Sequence, residues 1–296
     1  MADTALILGA AGQLGAALAD LFADQGRAYV GLDRHQCDVT DPASVARALR
    51  EHEPAVVFNC AAYNAVDQAE DEPDAAFRLN ALAPGLIAAS SRELGATTVH
   101  FSTDYVFGDG HTQPIDEGCT PEPLAHYARS KALGERAVLQ NNPKSYVVRV
   151  CGLYSRRRHN FVRTMLKHGL AGRPLTVVAD QVVSPTWVVP LARVTARLVH
   201  AGVHGTYHAV AHGECSWFEY ARTIFDALGV LGQVDLNPTA RKDWGAKARR
   251  PEYSVLDNRM LRVLGLDDLE GWEPMLRRFL QAHGEALVAE FDTQAP

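Results

Sequence analysis

The chain has 296 residues, 47% of them hydrophobic and 22% charged, so it has enough apolar material for a sizeable core and is not disordered as a whole. Its 29 basic and 35 acidic residues leave a net charge of −6 with no long basic run, which argues against a nucleic acid or an anionic membrane as main partner. No run approaches the roughly 18 to 20 apolar residues that span a bilayer, there is no basic leader, and the five scattered cysteines (Cys37, Cys60, Cys119, Cys151, Cys215) form no C-x-x-C pair, so a cytoplasmic protein with reduced thiols is expected.

Ala5–Leu8 is a continuous apolar run, too short for a helix and closed by Gly9, as a strand buried on both faces should be. Gly9-Ala10-Ala11-Gly12-Gln13-Leu14-Gly15 follows and opens a helical segment, Gln13–Asp24, with Leu14, Leu18, Leu21 and Phe22 on one stripe. In this strand–turn–helix context the G-x-x-G-x-x-G spacing has a physical meaning. The glycines permit a tight turn and close backbone approach, and the helix N-terminus faces a dinucleotide pyrophosphate. The next strand, Tyr29–Leu32, ends at Asp33, placed to hydrogen-bond the ribose 2′-hydroxyl of NAD, while the neighbouring Arg34 suits a 2′-phosphate. NADPH and NADH both stay open.

Asp41 and Pro42 make an N-cap and first helical position for a helix over 43–51. Further β-rich runs at 55–58, 97–101 and 146–150 continue the alternation, which implies right-handed crossovers and an α/β, Rossmann-type doubly wound parallel sheet. Residues 1–150 are expected to form the NAD(P)-binding domain, with runs at Leu175–Val178 and 206–210 extending its sheet. Residues 151–296 are expected to be mainly a smaller, discontinuous substrate-binding region, with helices at Phe161–Leu170, 218–228 and 274–288.

Tyr127 and Lys131 stand four apart, on one face if the segment is helical. Such a pair alone reads as surface. Ser102-Thr103-Asp104, however, follows the strand 97–101 at the carboxyl end, where parallel sheets place their chemistry. A hydroxyl, a phenol and an ammonium together make a carbonyl-reducing set. Thr103 orients the substrate oxygen, Tyr127 supplies the proton, and Lys131 tunes the tyrosine and grips the nicotinamide ribose.

With these motifs in order, the sequence resembles the extended short-chain dehydrogenases and, within them, the dTDP-4-dehydrorhamnose reductase family, nearly end to end. The resemblance rests on Gly12-Gln13-Leu14-Gly15, Asp38-Val39-Thr40-Asp41, Asn59-Cys60-Ala61-Ala62-Tyr63, Val66-Asp67-Gln68-Ala69-Glu70 and Ser102-Thr103-Asp104-Tyr105-Val106-Phe107. Tyr127 with Lys131, Asn160-Phe161, Asp180-Gln181, Ser184-Pro185-Thr186 and Arg250-Pro251 complete the series. It implies reduction of the 4-keto group of a nucleotide-linked 6-deoxy sugar by NADPH or NADH. By the same resemblance Gly12, Gln13 and Leu14 line the pyrophosphate, beside the Gly9 and Gly15 of the spacing above, Asp38 and Val39 meet the adenine, near the Asp33 and Arg34 read above, and Ala61, Ala62 and Tyr63 the ribose and nicotinamide side. Thr103, Asp104, Asn160 and Arg250 hold the sugar nucleotide.

Two positions depart from the pattern. Gly152 stands where the best-known members carry a tryptophan that packs on the sugar, which is expected to leave room there, and Val183 replaces a glycine. Some relatives dimerise through magnesium held by glutamates; the matching Ala17 and Val189 cannot ligate it, so no metal is expected, and a homodimer stays open. Arg156 to His159 reads as a solvated loop or a site for a sugar-nucleotide diphosphate, His208 as structural, Trp187, Trp217 and Trp272 as core or groove, and Cys60 and Cys151 as buried small hydrophobes. The rival readings are an epimerase or dehydratase of the same superfamily and a non-catalytic subunit resembling the methionine adenosyltransferase β-subunit.

Overall fold

A computed structural model describes residues 4–292; the outermost residues of the two expected domains, 1–3 and 293–296, lie outside the described residues. In chain order the strands are β1 (Ala5–Leu8), β2 (Tyr29–Leu32), β3 (Val56–Asn59), β4 (Thr97–Thr103), β5 (Ser145–Val150), β6 (Leu175–Val178), β7 (Val182–Val183), β8 (Gly205–His208), β9 (Cys215–Ser216) and β10 (Leu236–Thr239). The helices are α1 (Gln13–Asp24), α2 (Pro42–His52), α3 (Pro73–Phe77), α4 (Ala83–Glu93), α5 (His126–Asn141), α6 (Phe161–Leu170), α7 (Val188–Ala201), α8 (Trp217–Ala227), α9 (Arg259–Val263) and α10 (Trp272–Asp292).

Six strands form one parallel sheet in the order β2-β1-β3-β4-β5-β8. The period of two along β1 explains its uninterrupted apolar run. Ala5 and Ile7 pack with Leu18 and Phe22 of α1 and Leu191 of α7, while Leu6 and Leu8 pack with Val45 and Leu49 of α2 and Ile87 of α4. Helices therefore cover both faces, as the alternation implies. A second core joins Val162 and Leu166 of α6, Tyr220 and Ile224 of α8 and Phe279 of α10, and Trp187 and Trp272 pack against both cores.

Local sequence sets the helix starts. Asp41 caps α2, accepting from the amides of Ala43 (3.0 Å) and Ser44 (3.2 Å), with Pro42 at the first position. Ser216 and Glu219 form a reciprocal capping box at α8. Each such cap stabilises by about 1 kcal/mol.

One expectation fails. Leu175–Val178 does not extend the main sheet but pairs in parallel with β10; only β8 joins the edge, beside β5. Thr176 is exposed while its neighbours in β6 are buried, so this strand covers one core rather than two, and a short apolar run carries no mark of which sheet will take it. Strand β4 also runs two residues further than expected, so Ser102 and Thr103 are sheet residues in register with Arg149 and Val150. No helix among the described residues is long and apolar enough to cross a membrane.

Candidate active site

The strand order reverses between β1 and β3, which opens a crevice at their carboxyl ends. The glycine loop fills it. Gly9 has φ +77°, and a β-carbon there would stand 2.8 Å from the Ala61 amide nitrogen; one at Gly15 would stand 2.5 Å from the Gly9 carbonyl oxygen. Helix α1 starts at Gly12 with no side-chain cap, so its first-turn N–H groups are left for an anion. This cradle fits a diphosphate. Gln13 is held above it, its Oε1 accepting from Ser155 Oγ (2.8 Å) and Asn160 Nδ2 (3.0 Å), and buried Leu14 anchors the helix beneath.

The two acids expected at the adenosine end shape turns. Asp33 Oδ1 accepts from the amides of His35 (2.8 Å) and Gln36 (3.1 Å), which hold its carboxyl below the usual carboxylate range. Arg34 beside it is exposed, with no ion-pair partner among the described residues. Asp38 Oδ1 takes the hydroxyl and amide of Thr40, and Val39 is buried in the core.

Ala61, Ala62 and Tyr63 follow β3. The Ala61 amide donates to Asn59 Oδ1 (3.2 Å), and Tyr63 exchanges two bonds with the Asn80 side chain (2.9 and 3.0 Å). Asn80, fully buried on a single π turn (Arg78–Leu82), also donates to Ser130 Oγ (3.1 Å), one residue before Lys131. It ties the cofactor-side loop to the helix that carries the reactive pair. The sequence reading misses it; a lone amide in an otherwise helical stretch is its only signal. A β-carbon at Gly134 of α5 would fall 2.0 Å from the Asn80 carbonyl oxygen, so that contact requires glycine.

Tyr127 and Lys131 do share one face of α5, with relative exposures of 8% and 2%. Tyr105 meets Tyr127 edge-on, ring centroids 6.3 Å apart. Burial pushes the Tyr127 phenol well up; hydrogen bonding with Thr103 offsets part of this, and the Asp104 charge adds to it. The phenol is therefore protonated at neutral pH. Burial pulls Lys131 down to about 8, against the opposing pull of Glu135 and Cys60, and its ammonium donates to the Phe101 carbonyl.

Asp104 is 3% exposed, and its oxygens accept from Thr103 Oγ1 (2.9 Å), Ser254 Oγ (2.6 Å) and Cys151 Sγ (3.1 Å), so most of its acceptor capacity is spent inside the protein. Burial raises its carboxyl and those three donors lower it, burial prevailing. Its part is to hold the Thr103 hydroxyl beside the phenol. Asn160 is also engaged within the protein: its Nδ2 lies near Gln13, Ser155 O and Arg158 O, and its Oδ1 caps α6, so it builds the loop over the glycine cradle.

Beyond Tyr105 opens a cavity of about 620 Å³, lined by Phe161, Gln181, Trp217, Trp244 and Arg250 among others. Arg250 lies within it, gripping Asp67 in a two-pronged pair (2.8 and 3.0 Å). Arg241, Lys242, Lys247 and Arg249 add further cations to the same wall, of which Arg241, Lys247 and Arg249 are paired with carboxylates. Gly152, where room was expected, has none to spare. Its φ is +53°, and a β-carbon there would stand 3.1 Å from Pro185 Cα and 3.4 Å from the Trp217 ring. Val183 is buried and pairs with Cys215, two residues before that tryptophan. His208 is structural, with Nδ1 3.0 Å from the Ile115 carbonyl and burial pulling it to about 3, and all five cysteines are free.

Residues 3–284 match the family described as RmlD substrate binding domain. The chain is 42% identical to a probable dTDP-4,6-dihydroxy-2-methyloxan-3-one 4-ketoreductase of Streptomyces antibioticus, over 96% of each chain. It is 39% identical to a dTDP-4-dehydrorhamnose reductase of Streptomyces griseus, over 92% of this chain and 91% of that one. Among solved structures, a dTDP-4-dehydrorhamnose reductase of Bacillus anthracis in complex with NADP superposes with a TM-score of 0.92 at 37% identity, over 95% of this chain and 100% of that one. On the family match, these identities and this fold, the chain belongs to the dTDP-4-dehydrorhamnose reductase family of oxidoreductases.

Proposed function

We propose that the protein reduces the 4-keto group of a dTDP-linked 6-deoxy sugar with NADPH or NADH, taking dTDP-4-dehydro-L-rhamnose to dTDP-L-rhamnose. The observation that carries this reading is the convergence of Thr103, Tyr127 and Lys131 at the carboxyl end of β4, beside a diphosphate cradle and a basic cavity. A dinucleotide whose diphosphate the cradle held would supply, from its reduced nicotinamide, the hydride for C4.

Tyr127, a phenol that is protonated at neutral pH and whose burial disfavours its phenolate further, gives its proton to the carbonyl oxygen as negative charge develops there. The phenolate left behind is costly in so dry a place. Lys131, one helical turn along α5, is the cation that offsets it. In this state Thr103 Oγ1 donates to Asp104 and accepts from the Tyr105 amide (3.2 Å), and in this reading its hydroxyl turns toward the substrate oxygen when a carbonyl arrives. The basic wall at residues 241–250 suits a nucleoside diphosphate, and Trp244, 50% exposed on that wall, suits a planar base.

The test is oxidation of NADPH and NADH with dTDP-4-dehydro-L-rhamnose, followed by identification of the product. Turnover to dTDP-L-rhamnose supports the reading. Tight dinucleotide binding with no turnover of this sugar sinks the rhamnose assignment, and a survey of other dTDP-4-keto sugars then follows, the Streptomyces antibioticus relative being named for a different one.

A further inference from the structure

Among the described residues, two non-glycine residues hold a positive φ, Glu53 (+39°) and Arg158 (+64°). Glu53 has an ordinary reason, since it closes the C-terminus of α2 and donates its amide to Leu49. Arg158 closes no helix. It lies in the loop between Tyr154 and α6, where a β-carbon is disfavoured and glycine would be free of strain.

The strained backbone aims one side chain. Arg158 Nε donates to the Ala11 carbonyl (2.8 Å), in the middle of the glycine loop, and its two terminal nitrogens have no partner among the described residues. The loop behind it is firmly built. Ser155 Oγ lies 2.5 Å from the Arg157 carbonyl, Asn160 Nδ2 lies 2.9 and 3.2 Å from the carbonyls of Ser155 and Arg158, and both side chains reach Gln13. The guanidinium thus stands exposed against a cradle that lacks a capping side chain and is shaped for a diphosphate.

We infer that Arg158 is a dinucleotide-binding residue, reaching from the loop before α6 to hold the cofactor's diphosphate against the glycine loop. This rests on the dinucleotide reading above. A strained arginine anchored through Nε and leaving its fork free is the geometry for two-pronged contact with phosphate oxygens. The neighbouring Arg157 differs, since it pairs with Asp20 on the surface of α1 (3.1 Å).

The experiment is titration of the whole chain with NADPH by its fluorescence, and separately with dTDP by calorimetry. Arg158→Gly relieves the strain and removes the fork. It is expected to weaken NADPH about ten-fold, as loss of one charge-assisted contact does, with dTDP binding unchanged and thermal stability equal or higher. Arg158→Lys, keeping charge without the fork, falls between, and Arg157→Ala binds NADPH as wild type does. The inference is overturned if Arg158→Gly binds NADPH as tightly as wild type, if Arg157→Ala loses as much, or if the loss appears for dTDP instead. Failure of the wild type to bind any dinucleotide removes the parent reading, and this inference with it.

Discussion

The two walls of the cleft are built on opposite principles. One, from β4 and α5, is dry: Thr103, Asp104, Tyr127 and Lys131 are all at most 8% exposed, and each is fixed by hydrogen bonds or by helix geometry. The other, residues 241–250, is wet. Arg249 pairs with Asp109, Lys247 with Asp71 and Arg241 with Glu252, across contacts with at least one well-exposed partner, while Trp244 stands half-exposed. Pairs of that kind contribute about 0 to 1 kcal/mol each. The dry wall can hold reacting atoms to a fraction of an ångström, whereas the wet wall can adjust to a ligand's outline. In the function proposed above, redox chemistry is assigned to the first and sugar-nucleotide choice to the second.

The sharpest way to break that contrast is at the phenol. Tyr127→Phe keeps the buried ring and removes the proton, so turnover is expected to fall about 10²- to 10⁴-fold while NADPH affinity stays near wild type. Near-normal turnover would mean that the proton comes from elsewhere. The dry wall is also expected to be brittle. Gly134→Ala places a methyl group on the Asn80 carbonyl, 2.0 Å from ideal β-carbon to oxygen, between two packed backbones. A loss of about 3 kcal/mol or more in denaturant-measured stability is expected, at the upper end of overpacking costs, because neither backbone can swing aside as a side chain would. On the wet wall, Trp244→Ala is expected to leave stability within about 0.5 kcal/mol, since the ring is half-exposed, and to raise the sugar-nucleotide KM about ten-fold with little change in kcat. An unchanged KM would move the base off this wall.

The same contrast explains what was legible in the sequence. β1, the glycine loop and α1 could be read directly because one local run fixes strand, turn and helix together. Tyr127 and Lys131 were legible because helical spacing is a local property. The partners that hold Asp104 and Asn160 inside the protein were not legible, since nothing near them in sequence reveals Ser254, Cys151 or Gln13. Leu175–Val178 went to the wrong sheet for the same reason, its partner lying at Leu236–Thr239. Gly152 was read as a missing ring, yet the space there belongs to Pro185 and Trp217, which only the fold brings together. What local chemistry decides could be read; what depends on distant segments meeting could not.

The smallest expected effect tests how the dry wall treats its one cation. Lys131 is buried, facing Glu135, Cys60 and His100, and is pulled from 10.5 to about 8 chiefly by desolvation. Below about pH 8 the folded and unfolded chains both hold this proton, and the cost of burying the charge is fully present. Between pH 8 and about 10.5 the unfolded chain holds the proton and the folded chain does not, so this group's contribution to stability rises with pH. Dinucleotide binding is expected to have the opposite slope, because the ammonium assigned to the ribose in the proposed function is lost over the same window. Wild type is therefore expected to gain stability relative to Lys131→Met from pH 7 to 9.5, read as the difference in denaturant midpoints, while its NADPH affinity falls a few-fold. The variant should bind weakly at both values with little slope of its own. Stability and affinity that fell together would mean that Lys131 is stabilised by its partners rather than strained by burial. The dry wall would then hold its charge as comfortably as the wet one does.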